Sequence, residues 1–321
     1  MGCPLGDLVG YTVRHDDRSS PGRTHVKFMT DGLLFRELIF DPTLSRYSVI
    51  MIDEAHERSL HTDLLLATLK KILKQRSDLR VIISSATIEA NRFVEFFKSE
   101  GRRTAKTVSG PTLPSEQKTA TRSQMQPQII HLEGAMHSIS ICYSRTPLGR
   151  DYIDAVVSCV LTIHRSGAPG DILVFLPGFK EINETVQSIK EQSSSIHALP
   201  LHASLPPHQQ VEVFNAAPAG KRKVILSTNI AETSVTIEGV VFVVDSGLVK
   251  RKVYDPALGI NRMILTRISK SSARQRAGRT GRTCAGKVFR LYSKEEHDFE
   301  MVDHSPPDIQ LVNLAPSLLQ M

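Results

Sequence analysis

Several short runs in this chain are apolar or nearly so, and each ends at polar residues of the kind that bind or react. Val49-Ile50-Met51-Ile52 stops at Asp53, Leu79 to Ser84 stops at Ser85, and Ile172-Leu173-Val174-Phe175-Leu176 stops at Pro177-Gly178. A strand with no polar face needs cover on both sides, which is the condition of a central strand in a parallel sheet flanked by helices. Helices are expected between these runs. Asp63 to Arg76 places Leu65, Leu66, Leu69, Ile72 and Leu73 on one stripe, and further helices are expected over 91–97, 152–165, 181–192 and 206–214. More strands are expected over 197–201, 223–227, 240–244 and 287–292. Leu248–Tyr254 and Ile260–Thr266 flank a turn at Pro256–Gly259 and predict a hairpin, and a helix is expected from Ser272. The alternation places the chain in the α/β class.

A length of 321 residues suits two such domains better than one. From Gly101 to Gln128 the composition turns to Ser, Thr, Pro, Gln, Lys and Arg with no period, as in a surface insertion or linker. The expected division is a first domain over 1–110, an insertion over 111–145 and a second domain over 146–321. Lys and Arg number 40 against 33 Asp and Glu, which makes a polyanionic partner plausible. Asp255 is the only acid between Lys250 and Arg290. The four cysteines form no Cys-x-x-Cys pair and read as reduced thiols of an intracellular protein. No apolar run reaches the length of a membrane span, so no membrane partner is expected. His197, His202 and His208 fall on different expected elements and make a poor metal set.

Three motifs carry chemistry. Asp53-Glu54-Ala55-His56 follows a buried strand, so both acids stand at its C-terminal edge, where open α/β sheets bind ligands. One acid there can hold a metal ion and the other can orient or deprotonate a water; a pair that only ends the strand is the competing reading. Ser85-Ala86-Thr87 follows the next strand and emerges beside the acids, either to hydrogen-bond across a cleft or to cap a helix. Gln275-Arg276-Ala277-Gly278-Arg279-Thr280-Gly281-Arg282 spaces its arginines with glycines, so that guanidinium forks can converge on phosphate. A generic basic patch is the alternative.

In order and spacing these three motifs resemble those of the DEAH-box helicases of superfamily 2. Met29-Thr30-Asp31-Gly32-Leu33-Leu34 is similar to the family's first-domain RNA-contact motif, and Phe175-Leu176-Pro177-Gly178 to the start of its motif IV. Ser227-Thr228-Asn229-Ile230-Ala231-Glu232-Thr233-Ser234 resembles motif V. The resemblance covers nearly the whole chain apart from roughly 100–130. It implies two RecA-like parallel-sheet domains in tandem, the first incomplete, and a motor that couples ATP hydrolysis with Mg²⁺ to movement along RNA. It makes Asp53 the Mg²⁺-side acid, Glu54 the activator of water, and His56 a link to Gln275. It turns Gln275, Arg279 and Arg282 toward the triphosphate. Ser85 and Thr87 join the nucleotide side. Phe214 stacks on the base, and Thr236 and Glu238 lie near the ribose, although many relatives have Asp in place of Glu238. It sets Thr30, Asp31, Gly32, Gly178, Thr228 and Asn229 along the RNA backbone, and makes the 248–266 hairpin a strand-separating wedge. RNA is the implied partner, with an activator protein or ribonucleoprotein complex beside it, in the nucleus or the cytoplasm.

The chain departs from the family pattern in two places. No Gly-x-x-x-x-Gly-Lys-[Ser/Thr] occurs in it, so the expectation is a chain lacking the upstream phosphate-loop segment and the family's C-terminal accessory domains. Glu133-Gly134-Ala135-Met136-His137 stands where relatives carry Arg and Pro after the Gly. Two other functions compete: a non-catalytic RNA-binding or scaffold paralogue that has lost the phosphate loop, and a DNA-directed motor of the same superfamily.

Overall fold

The computed structural model describes residues 2–86, 90–98, 127–132, 134, 137–149, 151–233 and 236–319. Thr87 and the polar stretch from 101 to 126 lie outside them. The chain divides into two units between Glu133 and Gly134.

The first unit opens with β1 (Val9–Val13), β2 (Asp16–Arg18) and β3 (Val26–Met29). β1 is central in this small sheet, antiparallel to β2 and parallel to β3. Then come α1 (Asp31–Phe40), β4 (Val49–Ile52), α2 (Leu60–Ile72), β5 (Arg80–Ile83) and α3 (Ala90–Phe97). β4 and β5 pair in parallel from Val49↔Arg80 to Ile52↔Ile83. The expected stripe on α2 is the buried one: Leu65, Leu66, Leu69 and Ile72 pack with Ile50, Ile52 and the α1 residues Leu34, Phe35 and Leu38. Among the described residues the opposite face of the pair is open, with Val49, Met51 and Ile82 all exposed. Arg76, just past α2, donates through Nη1 to the Thr43 carbonyl (3.1 Å) and through Nη2 to that of Tyr47 (2.8 Å), which fixes the loop entering β4.

The second unit holds β6 (Ile139–Ser144), α4 (Tyr152–Arg165), β7 (Asp171–Phe175), α5 (Phe179–Gln192), β8 (Ile196–Leu201), α6 (Pro207–Val211) and β9 (Arg222–Ser227). After these come β10 (Val240–Asp245), β11 (Leu248–Asp255), β12 (Ile260–Arg267), α7 (Lys270–Ala277), β13 (Gly286–Ser293) and the short α8 (Ala315–Leu318). Six strands form one parallel sheet in the order β6-β13-β10-β7-β9-β8. Its interior strands are apolar on both faces because both faces are covered. Ile172, Val174 and Leu176 meet α4 and α5, while Leu173 and Phe175 meet Val213 and Ala277 on the other side. β6 belongs to this sheet although its residues fall within the stretch expected as an insertion. The helix expected over 206–214 is α6 followed by a 3₁₀ turn, Glu212–Phe214.

The hairpin forms as expected, β11 against β12 in unbroken antiparallel register from Leu248↔Arg267 to Asp255↔Ile260. Its base is tied down by Lys250 Nζ to Glu181 Oε1 (2.7 Å) and by Arg267 Nη2 to Glu296 Oε1 (2.6 Å).

Candidate active site and nucleic-acid contacts

In the first unit the ends of β4 and β5 are stitched together. Ser84 N–H donates to the Ile52 carbonyl (2.8 Å), and Ala55 N–H donates to the Ser84 carbonyl (3.0 Å). This brings Asp53 and Glu54 beside Ser85. Asp53 is exposed, and its Oδ1 accepts the Glu54 amide at 2.9 Å. Glu54 is left-handed (φ 50°, ψ 35°) and opens the 3₁₀ turn Ala55–Glu57; Arg58, also left-handed (φ 52°), closes it. A non-glycine residue in that region costs about 1–2 kcal/mol, so the turn is held by its surroundings. Arg58 supplies one hold through a two-pronged pair with Asp63 (2.7 and 3.1 Å).

His56 is almost fully enclosed. Its Nδ1 accepts the Ala86 amide at 3.2 Å and lies 3.3 Å from Glu54 Oε2. The amide can only donate and the carboxylate can only accept, so Nδ1 serves one of these two partners at a time. Buried Nε2 has no partner among the described residues.

Thr30 caps α1 by position, is exposed, and makes no side-chain capping bond. Asp31 has both its carboxylate oxygens engaged within the unit. Oδ1 accepts the Gly32 amide (2.7 Å); Oδ2 accepts the hydroxyls of Ser59 and of Thr62, the latter at 3.1 Å. Gly32 lies 3.7 Å from the His61 ring, measured from where a Cβ would stand.

In the second unit Gly178, Thr228 and Asn229 come together, because they follow β7 and β9, which are neighbours. Leu176 N–H donates to the Ser227 carbonyl (2.8 Å), and Thr228 N–H to that of Leu201 (3.2 Å). Asn229 is exposed, while Gly178 is buried. A Cβ on Gly178 would stand 2.8 Å from Glu181 Oε2 and 2.9 Å from Lys250 Nζ, so a larger residue there would have to displace the Lys250–Glu181 pair.

The arginines of the motif differ in burial and in partners. Arg276 is fully buried: Nε donates to Glu232 Oε1 and Nη1 to Asp245 Oδ1, both at 2.7 Å, and the group lies 4.9 Å from the Phe175 ring centre. Burial alone would lower its pKa, but Asp245 and Glu232 outweigh that and raise it. Asp245 also accepts the Tyr292 hydroxyl (3.0 Å), whose pKa rises through burial and then through this carboxylate. Gly247, with φ +73°, leaves room for that tyrosine, since a Cβ there would come within 2.4 Å of its ring. Arg282 instead reaches outward, donating to Thr236 Oγ1 at 2.9 Å; Arg279 Nη1 approaches the Thr233 carbonyl at 3.4 Å. Gln275 is half-buried and Glu238 exposed.

Phe214 is half exposed beside fully buried Val213. Buried Lys223 fixes that turn by donating to the carbonyls of Val213 and Asn215, both at 3.1 Å.

Residues 152–284 match the family described as the helicase conserved C-terminal domain. The whole chain is 40% identical to human "Probable ATP-dependent RNA helicase DHX35", spanning 44% of that protein. It is 42% identical to the Caenorhabditis elegans DHX35 homolog over 99% of the chain and 42% of the relative. The crystal structure of the Escherichia coli DEAH/RHA helicase HrpB matches 98% of the chain with a TM-score of 0.82 at 32% identity, over 37% of its own length. The chain belongs to the DEAH-box helicase family. It spans less than half the length of the curated relatives it matches.

Within this DEAH-box chain, sequence reasoning missed Arg276, Glu232 and Asp245 as one buried network, and Lys223 as the clamp behind Phe214. A signal for the first was available. Arg276 lies between Ala273 and Ala277 on the face of α7 that is buried, whereas Arg274 is exposed. Among the described residues no helix is long and apolar enough to cross a membrane.

Proposed function

We propose that this chain forms motor-core machinery of an ATP-dependent RNA helicase, in which ATP hydrolysis drives movement along RNA and strand separation. The observation that carries this reading is the Asp53–His56 turn bound to the Ser84–Ala86 segment by hydrogen bonds from Ser84, Ala55 and Ala86. That stitching presents two carboxylates and a small hydroxyl residue at one strand edge, an arrangement suited to phosphoryl transfer. Exposed Asp53 is the residue to hold Mg²⁺, which when bound neutralises charge on the phosphates. Glu54 takes up the proton of the attacking water or orients it. His56 and Gln275 serve the coupling of nucleotide state to movement. Arg279 and Arg282 stabilise charge on the transferring phosphoryl group. Thr236 and Glu238 serve the ribose, Ser85 and Thr87 the coupling of nucleotide to domain movement, and Phe214 the base. Stacking is tolerant of base identity, so a weak preference among nucleotides follows.

RNA is contacted through its phosphates by Thr30, Asp31 and Gly32 of the first unit and by Gly178, Thr228 and Asn229 of the second, with the β11–β12 hairpin as the wedge. The partner is an intracellular RNA, nuclear or cytoplasmic, alone or within a ribonucleoprotein complex that supplies an activator. Binding weakens steeply with salt and shows little sequence preference. The test compares ATP hydrolysis and duplex separation by the full-length protein with RNA, with DNA of the same sequence, and with neither. RNA stimulates both activities, and more than DNA does. Turnover indifferent to RNA contradicts the reading, and stronger stimulation by DNA moves the substrate to DNA.

A further inference from the structure

Two groups of residues in the first unit, one on the RNA side and one on the acid side, are joined by a short line of hydrogen bonds. Asp31 opens α1 directly after exposed Thr30. Its Oδ2 receives the hydroxyls of Ser59 and Thr62, and its Oδ1 the amide of Gly32. Ser59 is the N-cap of α2, accepting the Thr62 amide at 3.2 Å, and the two hydroxyls are 3.0 Å apart. On its other side Ser59 follows Arg58, which closes the single 3₁₀ turn that Glu54 opens. That turn has little freedom. Both bracketing residues are left-handed, Arg58 is locked to Asp63, and Ala55 is locked to Ser84. Asp31 is thus joined to Ser59, and Ser59 is the next residue after the turn that carries Glu54.

We propose that Asp31, Ser59 and Thr62 form a strut through which RNA engaged at the N-terminus of α1 sets the position of the Glu54 turn. These are positioning residues, since each acts through another group, and the proposal rests on the RNA-helicase reading above. A carboxylate that only bound RNA would leave its oxygens toward solvent, and a serine that only capped α2 would have no need of a carboxylate from another helix. Here one buried-edge network serves both helices, and a network of this kind transmits displacement when its members are all satisfied.

The test uses the 321-residue chain, a single-stranded poly(U) oligonucleotide, and peptide-resolved hydrogen exchange over 54–62 with and without the oligonucleotide. In the parent, poly(U) increases protection of this segment. Ser59→Ala, Thr62→Val and the double variant keep the parent's poly(U) affinity, measured by fluorescence anisotropy, and lose the RNA-dependent increase. Ser59→Thr, which keeps the hydroxyl, retains it, and Asp31→Asn loses it from the other end. A purely capping role predicts faster exchange along α2 with or without RNA and an unchanged RNA-dependent difference; that result overturns the strut. So does a parent chain that binds poly(U) without any change over 54–62. A parent chain that does not bind poly(U) at all overturns the RNA reading itself, and the strut with it.

Discussion

The two units handle a similar problem, charge beside an apolar parallel sheet, in opposite ways. The second unit covers its sheet on both faces and buries an arginine, two carboxylates and a tyrosine in one mutually satisfied network behind the motifs. The first unit keeps its acids at an exposed strand edge and leaves the Val49, Met51 and Ile82 face of β4–β5 open among the described residues. The second unit thus builds a rigid platform on which Arg279 and Arg282 can be aimed. The first holds its acid pair on a left-handed turn kept in place by a few hydrogen bonds. Deep burial of a satisfied network and a tethered turn at an exposed strand edge are different ways to hold charge, and the sequence divides them between the units.

The largest expected effect follows from the buried network. Arg276→Ala strands Asp245 and Glu232 without a counter-charge and costs about 3–5 kcal/mol, read as a fall in the urea midpoint of the second unit. Arg58→Ala, whose pair with Asp63 is partly exposed, costs under about 1 kcal/mol. Equal costs would erase the contrast between the units.

Core substitutions sharpen it next. Leu65→Ala, fully buried on α2, costs about 2–5 kcal/mol, whereas Met51→Ala, 58% exposed on β4, changes stability by about 0.5 kcal/mol or less. A Met51→Ala cost near that of Leu65→Ala would mean that another segment covers this face.

The smallest effect is on pH. Burial lowers the pKa of His202 and, with Arg222 and Arg165 nearby, that of His164 as well. Each binds its proton more readily unfolded than folded. Stability of the second unit is therefore complete above the ordinary histidine value and falls as pH drops from that value toward the folded ones. Hydrogen exchange of β7, β9 and β10 between pH 7 and pH 5 reads this slope, and His202→Asn makes it shallower. A slope unchanged by that variant would remove His202 from the account.

Much of this was legible in the sequence, for a physical reason. Parallel strands rich in apolar residues on both faces cannot hide their composition, so β7, β9 and β10 stand out, as do β4 and β5 although one of their faces is open among the described residues, and the α2 stripe. β1 to β3 were not read, because they are short, partly exposed strands with polar residues interspersed. β6 was concealed because it is an edge strand, carrying Ser140, Cys142, Tyr143 and Ser144 beside a polar stretch. At the site, linear motifs found the residues that face outward, such as Arg282 and Phe214. They could not show that Arg276 turns inward, that Gly178 makes room for Lys250 and Glu181, or that Asp31 faces Ser59. Those facts depend on which side chains meet in space, and they concern residues far apart in the chain.

The central claim is that the first unit's turn carries the chemistry, and the direct test is single-turnover ATP hydrolysis by the full-length protein with Glu54→Gln, alongside its affinity for MgATP. The substitution keeps size and shape and removes the carboxylate. The account predicts MgATP affinity like the parent's and a chemical step slowed by about 10²–10⁴, while Asp53→Asn weakens Mg²⁺-dependent nucleotide binding instead. Hydrolysis by Glu54→Gln at the parent rate would contradict it.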